Sequence, residues 1–246
     1  MARRATFIHK SRVDSIPSLT VEAGNFATTA NDAEATPRRE ILMSFYETES
    51  YDAITLGESE LSNPINTWIT ARDNGVPIVA ANLFKGKRSK KPLFEPYRWF
   101  ERGGVRMAVV GLIPERAAMK MADSLDYHVK SPFEMQKLMR KLNKRSDQLT
   151  VIGDITSEEA KSLVMAYPFI DAIISSNPTV FRTEKIGTTV LAACGGKGYY
   201  GDYLDLTVDD SDSTNIEMVR ETLDIKIPAD STYEQEIARS GIKPRK

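Results

Sequence analysis

The chain has 246 residues, 33 Lys and Arg against 34 Asp and Glu, and a formal net charge of −1. With 41% hydrophobic and 27% charged residues it is neither disordered nor fibrous; its length fits one large α/β domain or two small ones, and its balanced charge argues against a general nucleic-acid binder. The single Cys, Cys194, excludes an intrachain disulfide and a Cys-rich metal site, and two His, His9 and His128, cannot build a polyhistidine centre.

Apolar runs alternate with helical spacing along the chain. Ser18–Ala23 reads as a strand ending at Gly24, and Arg38–Thr48 as a helix with Ile41, Leu42, Phe45 and Tyr46 at helical intervals. Tyr51–Leu56 is a second strand, closed by Gly57. A helix over Asn66–Asn74 ends at Gly75, and Val76–Ala81 is a third strand. Lys85–Lys91 is a basic loop, read as a solvated charge run. Tyr97–Glu101 and Val105–Leu112 form a hairpin turned at Gly103-Gly104.

Pro132–Lys144 is a long amphipathic helix with Phe133, Met135, Leu138, Met139 and Leu142 on its apolar positions and the Arg140–Arg145 cations on its polar face. A strand over Gln148–Ile152, a helix over Ser157–Ala166 and a strand over Ile170–Ile174 follow. Thr188–Ala193 and Tyr203–Val208 read as antiparallel strands around a Gly-rich loop, with another strand over Ile216–Ile225 and a polar tail from Pro228. Alternating βα units that end in consecutive strands predict one α/β domain with a mixed sheet or sheets, its site at the strand C-terminal ends.

No apolar run reaches the ~18 residues of a membrane-spanning helix. The first residues, Met-Ala-Arg-Arg-Ala-Thr-Phe-Ile, lack the h-region of a signal peptide, so a native start at Met1 implies the cytoplasm. There is no GxSxG, HExxH, CxxC or GxGxxG. Gly195-Gly196-Lys197-Gly198 lacks the upstream Gly and following Ser/Thr of a phosphate-binding loop and reads as a tight turn. Cys194 beside it reads as a small buried hydrophobe.

The order of segments carries more. Residues 2–25, ending SLTVEAGN, and the segments YDAITLGESE (51–60), VPIVAANL (76–83), FERGGVRMAVVGLIP (100–114), 147–159, IDAIISSNPTV (170–180) and 195–208 stand in colinear order. Together, over roughly residues 2–230, they resemble the metallophosphoesterase superfamily, and most closely its bacterial UDP-sugar hydrolase/5′-nucleotidase branch. The resemblance implies a four-layer α/β/β/α sandwich over residues 1–230, with 231–246 as a polar tail or linker. It also implies a periplasmic or extracytoplasmic setting. The family's first strand, carrying D-x-H, has no counterpart, so residues 1–246 are expected to depend on an upstream segment or a protein partner for that strand. Similar relatives encoded near multihaem cytochromes point separately to a c-type cytochrome as a redox partner.

Family enzymes hold two metal ions that polarise a phosphoryl group and activate water. By the same resemblance, Asn25 stands at the family's G-D Asp, Glu58 and Ser59 at the Asn and His of G-N-H-E, Asp154 at a later His, and Asn177 and Thr179 at the G-H-S-H pair. Glu60 alone keeps its type. No expected His remains, which points to a catalytically inert binding or assembly module. The alternative is a divergent metal-dependent phosphoric ester hydrolase in which Asn25, Glu58, Asp154 and Asn177 supply oxygen ligands to Mg²⁺ or Ca²⁺.

Overall fold

The computed structural model describes residues 1–12, 16–27, 35–122, 125–178, 180, 183–193, 200–208 and 214–242. In chain order the elements are α1 (Ala2–Ser11), β1 (Val21–Glu22), α2 (Ala35–Thr48), β2 (Ala53–Ile54), α3 (Glu58–Leu61), α4 (Ile65–Asp73), β3 (Leu83–Lys85), β4 (Tyr97–Arg102) and β5 (Val105–Gly111). They continue with α5 (Glu115–Ala118), β6 (Tyr127–Val129), a 3₁₀ turn (Pro132–Met135) running into α6 (Gln136–Asn143), β7 (Gln148–Gly153), α7 (Ser157–Ala166) and β8 (Ala172–Ser175). The last are β9 (Glu184–Ile186), β10 (Thr189–Ala193), β11 (Tyr200–Val208), β12 (Thr214–Thr222) and α8 (Ser231–Arg239).

The main sheet has the order β4-β5-β7-β8-β10-β9. Its interior pairings, β5 with β7, β7 with β8 and β8 with β10, are parallel, and the outer strands β4 and β9 run antiparallel. Every residue of β7 is buried, as a strand covered on both faces requires. A smaller parallel pair, β1 with β2, extends through bridges from Ile54 to Ile78 and from Val79 to Glu95.

Three apolar layers hold these sheets and their helices together. Met139, Leu142, Leu163 and Tyr167 from α6, α7 and its C-cap pack on Leu149, Val151 and Ile173. Ala23, Ala53 and Val79 of the smaller sheet meet Val109 and Ile152 of the larger one. On the far side Phe7, Phe45, Tyr46 and Trp68 cover Ile54 and Leu56. Helix, sheet, sheet, helix is the predicted four-layer order. Arg4 ties α1 to this stack, pairing with Glu22 and donating to Tyr46 Oη at 3.3 Å. Tyr233 of α8 is buried against Phe45 and donates to Glu49 Oε1 at 2.9 Å.

Several predicted elements differ. Ser18–Ala23 and Tyr51–Leu56 keep only two-residue ladders, and Val76–Ala81 contributes bridges rather than a strand. Pro77 cannot donate to a ladder, and its carbonyl instead accepts from Ile54 N at 3.0 Å. Thr188–Ala193 does not pair with Tyr203–Val208. The wholly buried β10 joins β8 in parallel, where an apolar strand is covered, and β11 pairs antiparallel with β12 from Tyr200↔Thr222 to Val208↔Thr214. Phe133, expected on the apolar side of its helix, is 48% exposed because the 3₁₀ turn shifts its phase against α6. Cys194, Gly195–Gly198 and Thr179 lie outside the described residues.

Candidate functional site

The loops that follow β1, β2, β7 and β8 gather on one rim, and two glycines permit the closest approach. A Cβ at Gly24 would lie 2.6 Å from Gly57 N, and one at Gly57 would lie 2.6 Å from Asn25 Oδ1. Gly24 has φ 96° and Asn25 φ 59°, a left-handed pair of the kind Gly and Asn tolerate. Ser176 Oγ donates to Ala23 O at 2.9 Å, which stitches the β8 loop to the β1 loop across the two sheets.

Glu60 organises this rim from beneath. Its carboxylate accepts from the backbone N–H groups of Asn25, Gly57 and Ala27, each at 2.7 Å, and from Ser59 Oγ at 3.0 Å. Burial pushes the Glu60 carboxyl up, against the pull of those four donors. The one family position that keeps its residue type is therefore committed to holding two loops together. Asn25 Oδ1 faces the same junction, accepting from Ser59 N at 3.2 Å.

Above it the chemistry centres on Arg116, which the sequence analysis passed over. Arg116 projects from α5, just past the C-terminal end of β5. It lies 2.8 Å from Asp154 Oδ1, 3.2 Å from Glu159 Oε1 and 3.5 Å from Glu58 Oε2, and it also donates to the Asp154 carbonyl. Asp154, 1% exposed at its side chain, accepts from Asn177 Nδ2 at 2.7 Å, and the Asn25 side chain bonds it as well. Burial works against ionisation of Asp154, but Arg116, Asn177 and Asn25 outweigh it and hold the carboxyl below the usual aspartate range. Burial would lower the Arg116 guanidinium, but Asp154 and Glu159 outweigh it and hold it above its ordinary value.

The structure thus brings Asn25, Glu58, Asp154 and Asn177 to one place, and adds Glu159 and Arg116. His9 is elsewhere, its Nε2 2.9 Å from Glu49 Oε2, and His128 lies on β6. A sequence signal for Arg116 existed: Pro114-Glu115-Arg116 lies just past the buried end of β5, beside β7, whose last residue precedes Asp154.

These residues do not fit a metal centre. A guanidinium stays protonated and offers only donors, and here it stands among the carboxylates that a cation would need. Among the described residues no group of three His, Cys, Asp or Glu is placed to hold a metal.

No family model matches the chain. Two curated relatives are a 5′-nucleotidase of Vibrio parahaemolyticus, 38% identical over 69 residues, and protein UshA of Yersinia enterocolitica, 34% identical over 74 residues. Each match spans 28% of this chain and 12% of the relative. Among solved structures, a 5′-nucleotidase of Staphylococcus aureus superposes with TM-score 0.81 at 17% identity, covering 98% of this chain and 52% of that one. The sulfate thiohydrolase SoxB of Thermus thermophilus gives TM-score 0.84 at 16% identity, covering 97% and 46%. The chain therefore spans about half the length of these two solved structures. In fold the chain is similar to these 5′-nucleotidase-type structures, and over 69 to 74 residues its sequence is similar to the curated relatives.

Proposed function

We propose that this domain does not hydrolyse phosphate esters and serves as a binding or assembly module. The observation that carries this reading is Arg116. In place of paired divalent cations, one guanidinium neutralises Asp154 and shares Glu58 and Glu159. It can neither lower the pKa of a bound water nor accept a phosphoryl oxygen into a coordination sphere, which are the tasks of metals in such hydrolysis. An upstream segment or a partner chain would complete the module at β1, which pairs with β2 alone among the described residues. Likeness to the UDP-sugar hydrolase/5′-nucleotidase branch favours an extracytoplasmic setting.

The test is turnover of 5′-AMP, UDP-glucose and a bis-aryl phosphate with Mn²⁺, Zn²⁺ or Co²⁺. No hydrolysis above background is expected, since losing even one transition-state electrostatic group costs about 10²–10³ in rate. Metal-dependent turnover would overturn the proposal in favour of a divergent phosphoric ester hydrolase, and its loss in Asp154→Asn would assign it to this rim.

A further inference from the structure

Helix α6 presents a face with a different character from the rim. Lys137, Arg140, Lys141, Lys144 and Arg145 are all exposed, while Met139 and Leu142 are buried against the main sheet. Among the described residues none of the five cations forms an ion pair. The nearest acids in sequence are engaged elsewhere: Glu134 accepts from Ser131 N at 3.2 Å, and Asp147 pairs with Arg106 at 2.8 Å. Like charges at one-turn spacing on a helix repel, so the face is destabilised unless an anionic surface meets it. The stems of these cations border an open depression of about 500 Å³.

Two exposed aromatic side chains bracket the cations. Phe133, 48% exposed, stands in the 3₁₀ turn before α6. Trp99, 37% exposed, stands on the outer strand β4 with the Arg145 guanidinium 5.9 Å from its ring. The span from Phe133 to Arg145 is roughly 20 Å of helix. Cations on one face flanked by aromatic rings at both ends match the chemistry of a headgroup layer, in which rings sit at the interface and ammonium and guanidinium groups meet phosphates. A protein partner fixes its register with polar groups of both signs, and no acid lines this depression.

We propose that the α6 face, with Phe133 and Trp99, is a docking surface for an anionic lipid bilayer. The domain lies on that surface without crossing it, in keeping with the absence of any helix long and apolar enough to span a membrane among the described residues.

The test is co-sedimentation of the full chain with phosphatidylcholine vesicles, with and without phosphatidylglycerol, at low and high salt. Binding is expected to need phosphatidylglycerol and to weaken with salt. Each basic side chain near an anionic surface contributes about fivefold in partition, so Lys137→Glu/Lys141→Glu/Lys144→Glu should lose at least about a hundredfold. These side chains are exposed, so a urea midpoint no lower than that of the unaltered chain will show that the variant is folded. Trp68 is fully buried at 0%, so a blue shift of Trp emission on binding reports Trp99, and Phe133→Ser should weaken binding as well. Absence of binding to anionic vesicles at low salt, or equal binding by the charge-reversed variant, overturns the proposal. So does capture by polyglutamate through the same residues with Trp99 emission unmoved by vesicles, which would assign the face to an acidic protein segment.

Discussion

Replacing Arg116 by Met removes the guanidinium while keeping most of its aliphatic stem, and so isolates the charge at the rim. In the variant, Asp154 keeps only its amide partners Asn177 and Asn25, and Glu58 and Glu159 lose the cation they share. Removing one partner of a buried pair costs about 3–5 kcal/mol. Arg116 is 27% exposed and Asp154 retains hydrogen bonds, so the expected loss is lower, about 2–3 kcal/mol. At this chain length that is roughly 4–12 °C in Tm. The loss must also depend on pH. Because the folded state holds the Asp154 carboxyl below its ordinary value, the stability it contributes is present above about pH 3.9 and disappears as pH falls through the folded pKa. Urea denaturation of both proteins should therefore show curves that are separated at neutral pH and converge in acid. Arg116→Lys should recover part of the gap, since an ammonium can reach Asp154 but cannot also span Glu58 and Glu159. A loss below about 0.5 kcal/mol at neutral pH, or one that stays constant into acid, would refute the assignment of Arg116 as the counter-ion of this rim.

Two further substitutions probe how the rim is held. Glu60→Gln turns an amide NH₂ toward backbone N–H donors that now meet an oxygen, and denaturation should show a loss of about 2–3 kcal/mol. Gly57→Ala acts by sterics alone, since φ −107° suits any residue. Its Cβ would sit 2.6 Å from Asn25 Oδ1 and 2.9 Å from Asn25 N, and a Tm drop equivalent to about 1–3 kcal/mol is expected.

The parts of the fold that could be read from sequence were those in which one period dominates. Ser157–Ala166 forms as a helix with the expected bounds because Thr156 and Glu159 close a capping box at its start. The hairpin of β4 and β5 forms because Gly103-Gly104 permits its turn. What escaped was pairing, which depends on burial more than on local pattern. β10 is wholly buried and joins the main sheet between β8 and β9, while β11, alternating in character, is left to pair with β12. At the rim, colinear order pointed to Asn25, Glu58, Asp154 and Asn177, which the structure places around Arg116. It could not expose Arg116, because that residue occupies the space between those positions and matches none of them. Nor could it expose the inward role of Glu60, whose donors come both from its own loop, at Gly57 and Ser59, and from Asn25 and Ala27, 35 and 33 residues away.

The electrostatics of the rim bear on what it can meet. Asp154, Glu58 and Glu159 surround a single cation, so the cluster remains acidic after Arg116 has neutralised its share. A phosphate ester is itself an anion and needs donors or metal ions aimed at its oxygens. Here the guanidinium N–H groups are already directed at carboxylates and at the Asp154 carbonyl. For a phosphate to enter, Arg116 would have to leave Asp154, stranding a carboxylate that is 1% exposed and raising the cost of binding by the same ion-pair energy that the Met variant measures. Among the described residues, the cations of the α6 face form no ion pair, and Lys144 and Arg145 lead into the start of β7, at the end of that strand opposite Asp154. An anionic partner therefore meets repulsion at the rim and attraction at the helix, so the acidic site and the basic face cannot share one ligand.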